Sequence, residues 1–388
     1  MKILHIAFYY FPRVGVATWS TFALSKRLAS RHECILIVPN IKYDVALSDE
    51  EVMETQALNP TKLYKTPFFR IPIKWAPIIS PIFLLFKALK VSRDADIVLC
   101  HFQPHHFTFL VGLLVGKILG IPVVARAEDI QRDMGDNPTS FFQWLNRNRR
   151  AFYNWINESF IKYTDAFLVV CPENLEILES RIGPLKNIHV HYNGVDPLEF
   201  VGSDYEDARR QLGIKPNQKV ILFIGRFSGP EYRIEVLLDA VSLLQDSNIL
   251  LFLVGYQLPN RFVDILPLKT CVVGQTLRDG VKNYLAASDI CIGPLGATKA
   301  IPSKVLEYMA CEKPIITGIE SVSRVLAVDG KNCLLVQPEA KAVASEINKL
   351  IQNKDLSRNL ALNAKMSING FAWDKLAVQL EEIMEAIL

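Results

Sequence analysis

The chain has 388 residues, of which 50% are hydrophobic and 21% charged, and this composition excludes a disordered or fibrous protein. Its seven cysteines, an odd number with no CxxC pair or His-rich ligand spacing, indicate buried thiols in a reducing compartment, not disulfides or a zinc site. The length predicts two domains, and the net charge of +3 divides unevenly: 22 Lys and Arg against 17 Asp and Glu up to Val195, and 21 against 23 after it.

The first predicted element is a buried strand in MKILHIAFYY, because this apolar run is too short for a signal peptide and lacks a small-residue cleavage site. Gly15 in the following FPRVGVATWS allows a tight turn before a helix, whose N-terminus could receive an anion. Gly15 is therefore a candidate anion-binding residue, although a lone loop glycine more often only turns the chain.

The segment from Lys62 to Arg93 is basic and aromatic. It contains no acidic residue and seven basic ones: Lys62, Lys65, Arg70, Lys74, Lys87, Lys90 and Arg93. Most such charge runs form a solvated face. Here Phe68, Phe69, Trp75 and the apolar PIISPIFLLF interleave with the basic side chains, which also suits an anionic membrane surface or a lipid phosphate. The sequence leaves both interpretations open.

Short runs rich in Val, Ile and Leu alternate with amphipathic stretches along the whole chain. Near-continuous apolar runs predict strands buried on both faces, hence parallel sheets with helices on either side. The predicted strands are KILHIAFYY, CILIV, DIVLCH, IPVVAR, DAFLVV and IHVHY, then KVILFIGRF, ILLFLVG, CVVG, DICIGPL, PIITG and CLLVQ. The two series predict two doubly wound α/β domains.

The predicted boundary between the domains follows NGVD, Asn193 to Asp196, where the apolar pattern lapses. We expect a first domain over residues 1–196, a second over 197–370, and a terminal helix over 371–388 that packs back onto the first domain. No Gly/Ser-rich tether separates the two domains, so they are expected to lie close together and form a cleft.

Three features of the first half have competing interpretations. Phe107 to Ala125 is the longest apolar stretch, but it contains Gly116, Lys117, Gly120 and Pro122. These residues divide it into a helix and a strand, which argues against a membrane span. Asp94 to Asp96 resembles a metal-binding DxD. It directly precedes a strand, however, and Asp residues are common where a helix gives way to a strand. His101 lies at the end of that strand and could line a ligand cleft, although the histidines of HFQPHH would also suit a simple turn.

Ligands of open parallel sheets bind at the carboxyl ends of the strands. KVILFIGRF leads directly into Arg226, and Arg233 stands at the start of the next helix, which would place two positive charges over a phosphate group. Alternatively, both arginines are surface residues paired with Glu231 and Glu235.

ATKAIPSKVLEYMACEKPIITG predicts a loop, a helix and a buried strand. Ser303, Lys304 and Glu307 share one face of this helix. Lys304 gains nothing from the helix dipole at this end, which favours anions, so an anionic ligand would explain its position. A surface ion pair between Lys304 and Glu307 is the alternative, but it contributes only about 0.3 to 0.5 kcal/mol and gives no reason for the placement.

Together these pieces resemble a retaining glycosyltransferase of the GT-B fold, in the large family four (glycosyl transferases group 1). The similarity runs through the glycine turn after strand one, GIPVVARAED, YNGVD, ILFIGRF with LLDAV, LFLVGY, VVGQ, YLAASDICIGPL, LEYMACEKPIITG, GKNCLLVQPE and FAW. The resemblance implies two Rossmann-like domains, the first binding an acceptor and the second a nucleotide-diphosphate sugar. It also implies sugar transfer with retention at the anomeric carbon, with no metal or other cofactor.

The resemblance assigns roles to individual residues. Glu307 matches the second glutamate of the family's pair, which binds the ribose hydroxyls of the nucleotide. Arg226 matches the arginine that binds the donor diphosphate and stabilises the leaving group. Gly15 and Ser303 join them on the donor side, and His101 and Asn193 are assigned to the acceptor side.

Three positions in the second predicted domain depart from the family pattern. Lys299 replaces the first glutamate of the pair, and Tyr232 and Arg233 replace a Lys-Gly. We predict that Arg233 and Lys304 restore the cationic diphosphate site. Lys299 either selects an acidic donor sugar or is merely exposed.

Glu128, with Asp129 beside it, stands where the family has a histidine. One of these carboxylates is expected to face the transferred sugar or the acceptor, which makes both catalytic candidates together with Arg226. Adjacent residues rarely point at one centre, so we expect no covalent intermediate. In retaining enzymes of this fold, the resemblance implies, the leaving phosphate itself takes the acceptor proton.

The sequence thus predicts a cytoplasmic glycosyltransferase, peripheral on the inner face of a membrane, that acts on a saccharide or lipid-linked acceptor. No nucleic-acid partner is expected. A sugar-nucleotide epimerase on the same fold is one alternative, and it would interconvert nucleotide sugars without an acceptor. A non-catalytic partner subunit is the other, because a family glutamate and the Lys-Gly are missing.

Overall fold

The structure is a computed structural model of two compact units. Unit 1 comprises Met1–Asn193 and Trp373–Leu388, and unit 2 comprises Gly194–Ala372. The structure describes residues 1–388 except 11–15, 43–60, 73–74, 104–105, 128–129, 131–140, 201–203, 275, 277 and 299.

Unit 1 contains a parallel sheet in the order β3-β2-β1-β4-β5-β6-β7. Its strands are β1 Lys2–Ile6, β2 Glu33–Lys42, β3 Lys62–Pro72, β4 Ile97–Phe102, β5 Val123–Ala127, β6 Ala166–Val169 and β7 Ile188–Val190. Its helices are α1 Val16–Ala29, α2 Ala76–Val91, α3 Thr108–Leu119, α4 Phe141–Phe160, α5 Pro172–Ile182 and, from the end of the chain, α12 Trp373–Glu385. β4 and β5 are buried along their whole length, as their continuous apolar sequences predict.

The sheet of unit 1 has a hydrophobic core on each face. On one face, Leu84 of α2 and Phe109 of α3 pack in a cluster with strand residues such as Val98. On the other, Leu24 of α1 and Leu380 of α12 pack in a cluster with the alternate strand residues. The terminal helix therefore completes the core of the unit that holds the N-terminus.

Unit 2 contains a second parallel sheet, in the order β10-β9-β8-β11-β12-β13. Its strands are β8 Lys219–Gly225, β9 Ile249–Gly255, β10 Thr270–Val273, β11 Ile290–Ile292, β12 Ile315–Gly318 and β13 Leu334–Val336. Its helices are α6 Tyr205–Gln211, α7 Ile234–Ser242, α8 Arg278–Ala287, α9 Ser303–Ala310, α10 Ala340–Gln352 and α11 Lys354–Ser367. Each apolar run predicted as a strand contains one, so the predicted doubly wound architecture of both halves is confirmed.

The apolar stretch from Phe107 to Ala125 divides as predicted. α3 ends at Leu119, and Gly120 follows with φ of 69°, in the left-handed region that glycine adopts readily. β5 then begins at Val123. Within the described part of the chain, no helix is long and apolar enough to cross a membrane.

β3 is the strand that the apolar pattern did not predict. It lies inside the basic segment that begins at Lys62, pairs in parallel with β2 and forms one edge of the sheet in unit 1. Its residues do not form a continuous buried run, because an edge strand is covered only in part.

Candidate functional site

Two strand ends of unit 2 approach each other closely. β8 ends at Gly225 with φ of 130°, and β9 ends at Gly255 with φ of 144°. A Cβ atom on Gly255 would meet the backbone of Gly225, and the Tyr256 N–H donates to the Gly225 carbonyl oxygen at 3.1 Å. Both the close approach and the positive φ require glycine here.

Helix α9 is fixed against the end of β8 by its buried face. The helix begins at Ser303, after Pro302, and buries Val305 and Leu306. The Ile224 N–H of β8 donates to the Tyr308 Oη at 3.0 Å. These contacts place the first turn of α9, and hence Lys304, over the carboxyl end of β8.

The Lys304 ammonium group is buried without a hydrogen bond to any described residue. Its Nζ lies 4.7 Å from the centroid of the Phe223 ring and 4.4 Å from that of Tyr232. It also occupies the space that a Cβ atom on Gly225 would need. Two aromatic faces stabilise a cation only in part, so its desolvation is incompletely compensated.

The protonated form of Lys304 is disfavoured as a result. Burial lowers the pKa of Lys304 to about 7, and the nearby Arg226 adds to this effect, whereas Glu307 and Glu231 oppose it. An anion beside Nζ would raise the pKa again, because an opposite charge favours the protonated amine.

A second buried lysine in unit 2 shows the ordinary arrangement. The Lys313 Nζ donates to the carbonyl oxygens of Ala286 at 2.8 Å and Ser288 at 2.9 Å. Burial also lowers the pKa of Lys313, yet its hydrogen bonds are made within the fold. Lys304 therefore differs from Lys313 in having a donor that the fold leaves unused.

Arg226 adds a second positive charge at the same strand end. It directly follows β8, its side chain is exposed, and its guanidinium carbon lies 5.3 Å from the centroid of the Tyr256 ring. Ser303 and Glu307 lie half-buried on the first two turns of α9. The structure thus brings Arg226, Ser303, Lys304 and Glu307 to one end of the sheet in unit 2.

Arg233 has a different environment. Its φ of 46° lies in the left-handed region, which explains why the resembling family has glycine at this position. The Arg233 Nε donates to the Glu235 Oε1 at 2.9 Å, and both side chains are about two-fifths exposed. This is the carboxylate partner that the alternative interpretation of the sequence predicted for Arg233.

The two residues assigned to the acceptor side lie buried in unit 1. His101 Nε2 shares a hydrogen bond of 2.8 Å with His5 Nε2, and the Asn193 Oδ1 accepts from the Arg126 Nη2 at 3.0 Å. Their role toward an acceptor stays a prediction. Four further candidates lie outside the described residues: Gly15, Glu128, Asp129 and Lys299.

The DxD-like segment from Asp94 to Asp96 does not form a metal site with its described neighbours. Asp94 accepts from the Lys2 Nζ at 2.6 Å, and Asp96 accepts from the Lys2 backbone N–H at 2.6 Å. Among the side chains that the structure describes, no three His, Cys, Asp or Glu residues are grouped as they would be around a metal ion.

The sequence did not predict the aromatic residues that surround Lys304 and Arg226. Phe223 and Tyr232 flank Lys304, and Tyr256 lies beside Arg226. Tyr256 could have been found, because it directly follows a buried strand at its carboxyl end. Nothing in the sequence signals that Phe223 faces a lysine some eighty residues away.

Two Rossmann-like units, each built on a parallel sheet, are the architecture of the GT-B fold. Family comparisons agree with this fold: the Glycosyltransferase Family 4 model matches residues 17–198, and the Glycosyl transferases group 1 model matches residues 204–367. The chain belongs to this family of GT-B glycosyltransferases, as the sequence resemblance predicted.

Individual relatives are similar over the whole chain at low identity. The chain is 22% identical over 401 residues to the N-acetyl-alpha-D-glucosaminyl L-malate synthase of Bacillus anthracis, covering 99% of this chain and 97% of that one. The HepE structure from Anabaena in complex with UDP-glucose matches with a TM-score of 0.77 and 18% identity, covering 100% of both chains. WaaG, a glycosyltransferase involved in lipopolysaccharide biosynthesis, matches with a TM-score of 0.75 and 15% identity, covering 98% of this chain and 99% of that one.

Proposed function

We propose that this glycosyltransferase moves a sugar from a nucleotide-diphosphate sugar to a saccharide or lipid-linked acceptor, with retention at the anomeric carbon. The observation that carries the donor assignment is the buried Lys304 ammonium, which makes no hydrogen bond with a described residue and lies beside Arg226. A diphosphate would supply the missing acceptor oxygens. Related structures support a uridine nucleotide, since HepE was solved with UDP-glucose.

The proposed donor site uses separate groups for separate parts of the nucleotide. Lys304 and Arg226 bind the diphosphate, and Glu307, on the next turn of α9, accepts hydrogen bonds from the ribose hydroxyls. Two cations at the phosphates neutralise the charge that develops as the glycosidic bond breaks. We therefore propose that transfer proceeds without a metal ion.

In the proposed reaction, the bond between the anomeric carbon and the diphosphate oxygen breaks, and the bond to the acceptor oxygen forms on the same face. The acceptor hydroxyl gives its proton to the leaving diphosphate. Arg226 and Lys304 stabilise that leaving group, which is why neither carboxylate of the Glu128 and Asp129 pair is needed as a nucleophile. The products are the glycosylated acceptor and the nucleoside diphosphate.

The test of the donor site is a thermal-shift titration with UDP, GDP, ADP and their common sugar conjugates, because a ligand that binds only the folded state raises its stability. We expect one nucleotide to raise the melting temperature and Glu307→Ala to abolish most of that rise. Arg210→Ala, an exposed arginine of α6 paired with Asp207, serves as a matched control and should leave the shift unchanged.

The reaction itself is tested by incubating the identified nucleotide sugar with and without candidate acceptors. Release of the nucleoside diphosphate with glycosylation of a saccharide or lipid-linked acceptor supports the proposal, and nuclear magnetic resonance of the product reads its anomeric configuration. Inversion would contradict the proposed mechanism. A chain that binds no nucleotide in the titration would contradict the donor assignment.

A further inference from the structure

The outer surface of α2 in unit 1 is apolar. The helix buries one stripe against the unit: Ala76, Ser80, Leu84 and Ala88. At the same four-residue spacing it exposes Ile78, Ile82 and Phe86, with fractions of 52%, 57% and 68%. A helix that covers a sheet ordinarily presents polar residues on this outer stripe. The exposed stripe of α2 is therefore a feature that the fold of unit 1 does not explain.

The apolar stripe continues onto β3. Phe68 near the carboxyl end of β3 is 95% exposed, and Phe69 beside it is half-exposed. The Phe69 ring meets the Phe83 ring of α2 edge to face, with 6.0 Å between centroids. Trp75, just before α2, is also half-exposed.

Helix α3 extends the surface further. It packs against α2 on the same side of the sheet and exposes Leu114 and Ile118. We refer to the exposed side chains of these three elements as the apolar face: Phe68, Phe69, Trp75, Ile78, Ile82, Phe86, Leu114 and Ile118. Patches of this kind on a folded domain mark a surface that binds a partner.

The charged residues of the three elements that carry the apolar face are all basic. Two of them have partners within unit 1: Lys62 pairs with Glu33 of β2 at 2.8 Å, and the Lys87 Nζ lies 4.2 Å from the centroid of the Tyr64 ring. β3, α2 and α3 contain no Asp or Glu, and their basic residues are Lys62, Lys65, Arg70, Lys87, Lys90 and Lys117. Lys90 lies one turn beyond Phe86 on the exposed stripe, and Lys117 directly precedes Ile118. Asp94 and Asp96, which follow α2, contact Lys2.

This charge pattern decides between a second copy of the chain and a lipid surface. Two copies joined through the apolar face would bring like charges together, which opposes association. A bilayer with anionic headgroups supplies both the apolar layer and the opposite charge.

We propose that the apolar face binds unit 1 to the surface of an anionic membrane. Its aromatic and aliphatic side chains enter the boundary between headgroups and acyl chains, and the exposed Lys90 and Lys117 contact the headgroup phosphates. The apolar face lies in unit 1 and the proposed donor site in unit 2, so the two proposals can be tested separately.

The test is sedimentation of the full chain with vesicles of phosphatidylcholine that contain about 30% phosphatidylglycerol, compared with phosphatidylcholine alone. We expect binding to the anionic vesicles that weakens as salt rises. Lys90→Gln with Lys117→Gln should lower the partition coefficient at least about tenfold, since each basic residue near an anionic surface contributes roughly fivefold. Ile82→Ser with Phe86→Ser should lower it by a similar factor.

The matched control is Met366→Ser with Lys341→Gln, an exposed apolar and an exposed basic residue of unit 2, which should leave partitioning unchanged. An unchanged melting temperature without ligand shows that each variant is folded. Quenching of Trp75 fluorescence by brominated lipid, lost in Trp75→Phe, reports insertion of the face itself.

Two results would overturn the proposal. One is the absence of binding to anionic vesicles even at low salt. The other is a dimer in sedimentation velocity that Phe86→Ser dissociates while vesicle binding is absent, which would assign the apolar face to a second copy of the chain.

Discussion

Replacing Lys304 by methionine should change stability and nucleotide affinity in opposite directions. Methionine has an unbranched apolar side chain, one atom shorter than that of lysine, and removes the buried charge. In the folded chain, burial lowers the pKa of Lys304 from 10.5 to about 7. Lys304→Met should therefore stabilise the ligand-free protein and weaken its binding of the donor.

The magnitude follows from linkage between protonation and folding. The fall in pKa from 10.5 to about 7 corresponds to about 5 kcal/mol of destabilisation when both states are fully protonated, and to about 4 kcal/mol at neutral pH. Between these two pKa values the unfolded chain binds more protons, so this destabilisation is largest below pH 7 and disappears as the pH rises toward 10.5. The contacts of Nζ with Phe223 and Tyr232 offset part of it. We expect Lys304→Met to raise the free energy of unfolding by about 2 to 4 kcal/mol at neutral pH.

The effect on nucleotide binding has the opposite sign. Hydrogen bonds to a charged group contribute about 1.5 to 3 kcal/mol, so the affinity for the diphosphate should fall roughly ten- to a hundredfold. Chemical denaturation measures the first effect, and isothermal calorimetry with the nucleotide that gives a thermal shift measures the second.

Lys313→Met is the matched control, because Lys313 is the buried lysine whose hydrogen bonds are made within unit 2. Its replacement leaves the Ala286 and Ser288 carbonyl oxygens without this donor and should destabilise the protein by about 1 to 3 kcal/mol, with unchanged nucleotide affinity. If Lys304→Met behaved like Lys313→Met, by lowering stability and sparing affinity, the assignment of Lys304 to a diphosphate would be refuted.

Three further predictions test the site and the fold. Because an anion raises the lowered pKa of Lys304, nucleotide binding should take up protons near pH 7, and affinity should fall by up to about tenfold per pH unit above it; calorimetry in buffers of different ionisation enthalpy measures this uptake, and Lys304→Met should remove it. Gly255→Ala should destabilise unit 2 by several kcal/mol, because the new Cβ would meet the backbone of Gly225 and the φ of 144° disfavours a side chain. Gly213→Ala is the control: its φ is 66°, its Cβ would enter open space, and it should cost only about 1 to 2 kcal/mol. Equal losses of stability in chemical denaturation would contradict the close approach of β8 and β9. Leu380→Ala in α12 should destabilise unit 1 by about 2 to 5 kcal/mol and exposed Val378→Ala by less than about 0.5 kcal/mol; similar melting temperatures for the two would show that α12 does not complete this core.

The sequence by itself determined the two sheets and predicted where a donor would bind. Continuous runs such as ILLFLVG have few stable arrangements other than strands buried on both faces, so local pattern and tertiary fold agree. The same runs indicate where each strand ends, and ligands of parallel sheets bind at these ends. Arg226 and Lys304 were found in this way, together with the resemblance to the family.

Tertiary structure alone decided what each of these side chains contacts. The hydrophobic pattern of a segment indicates which of its residues are buried, but not which distant side chains contact them. The sequence therefore allowed a surface ion pair between Lys304 and Glu307, whereas packing of α9 on β8 buries the Lys304 Nζ against Phe223 and Tyr232. The edge strand β3 was missed for a related reason: its neighbour covers only one edge, and its apolar side chains are partly exposed, so no buried run marks it.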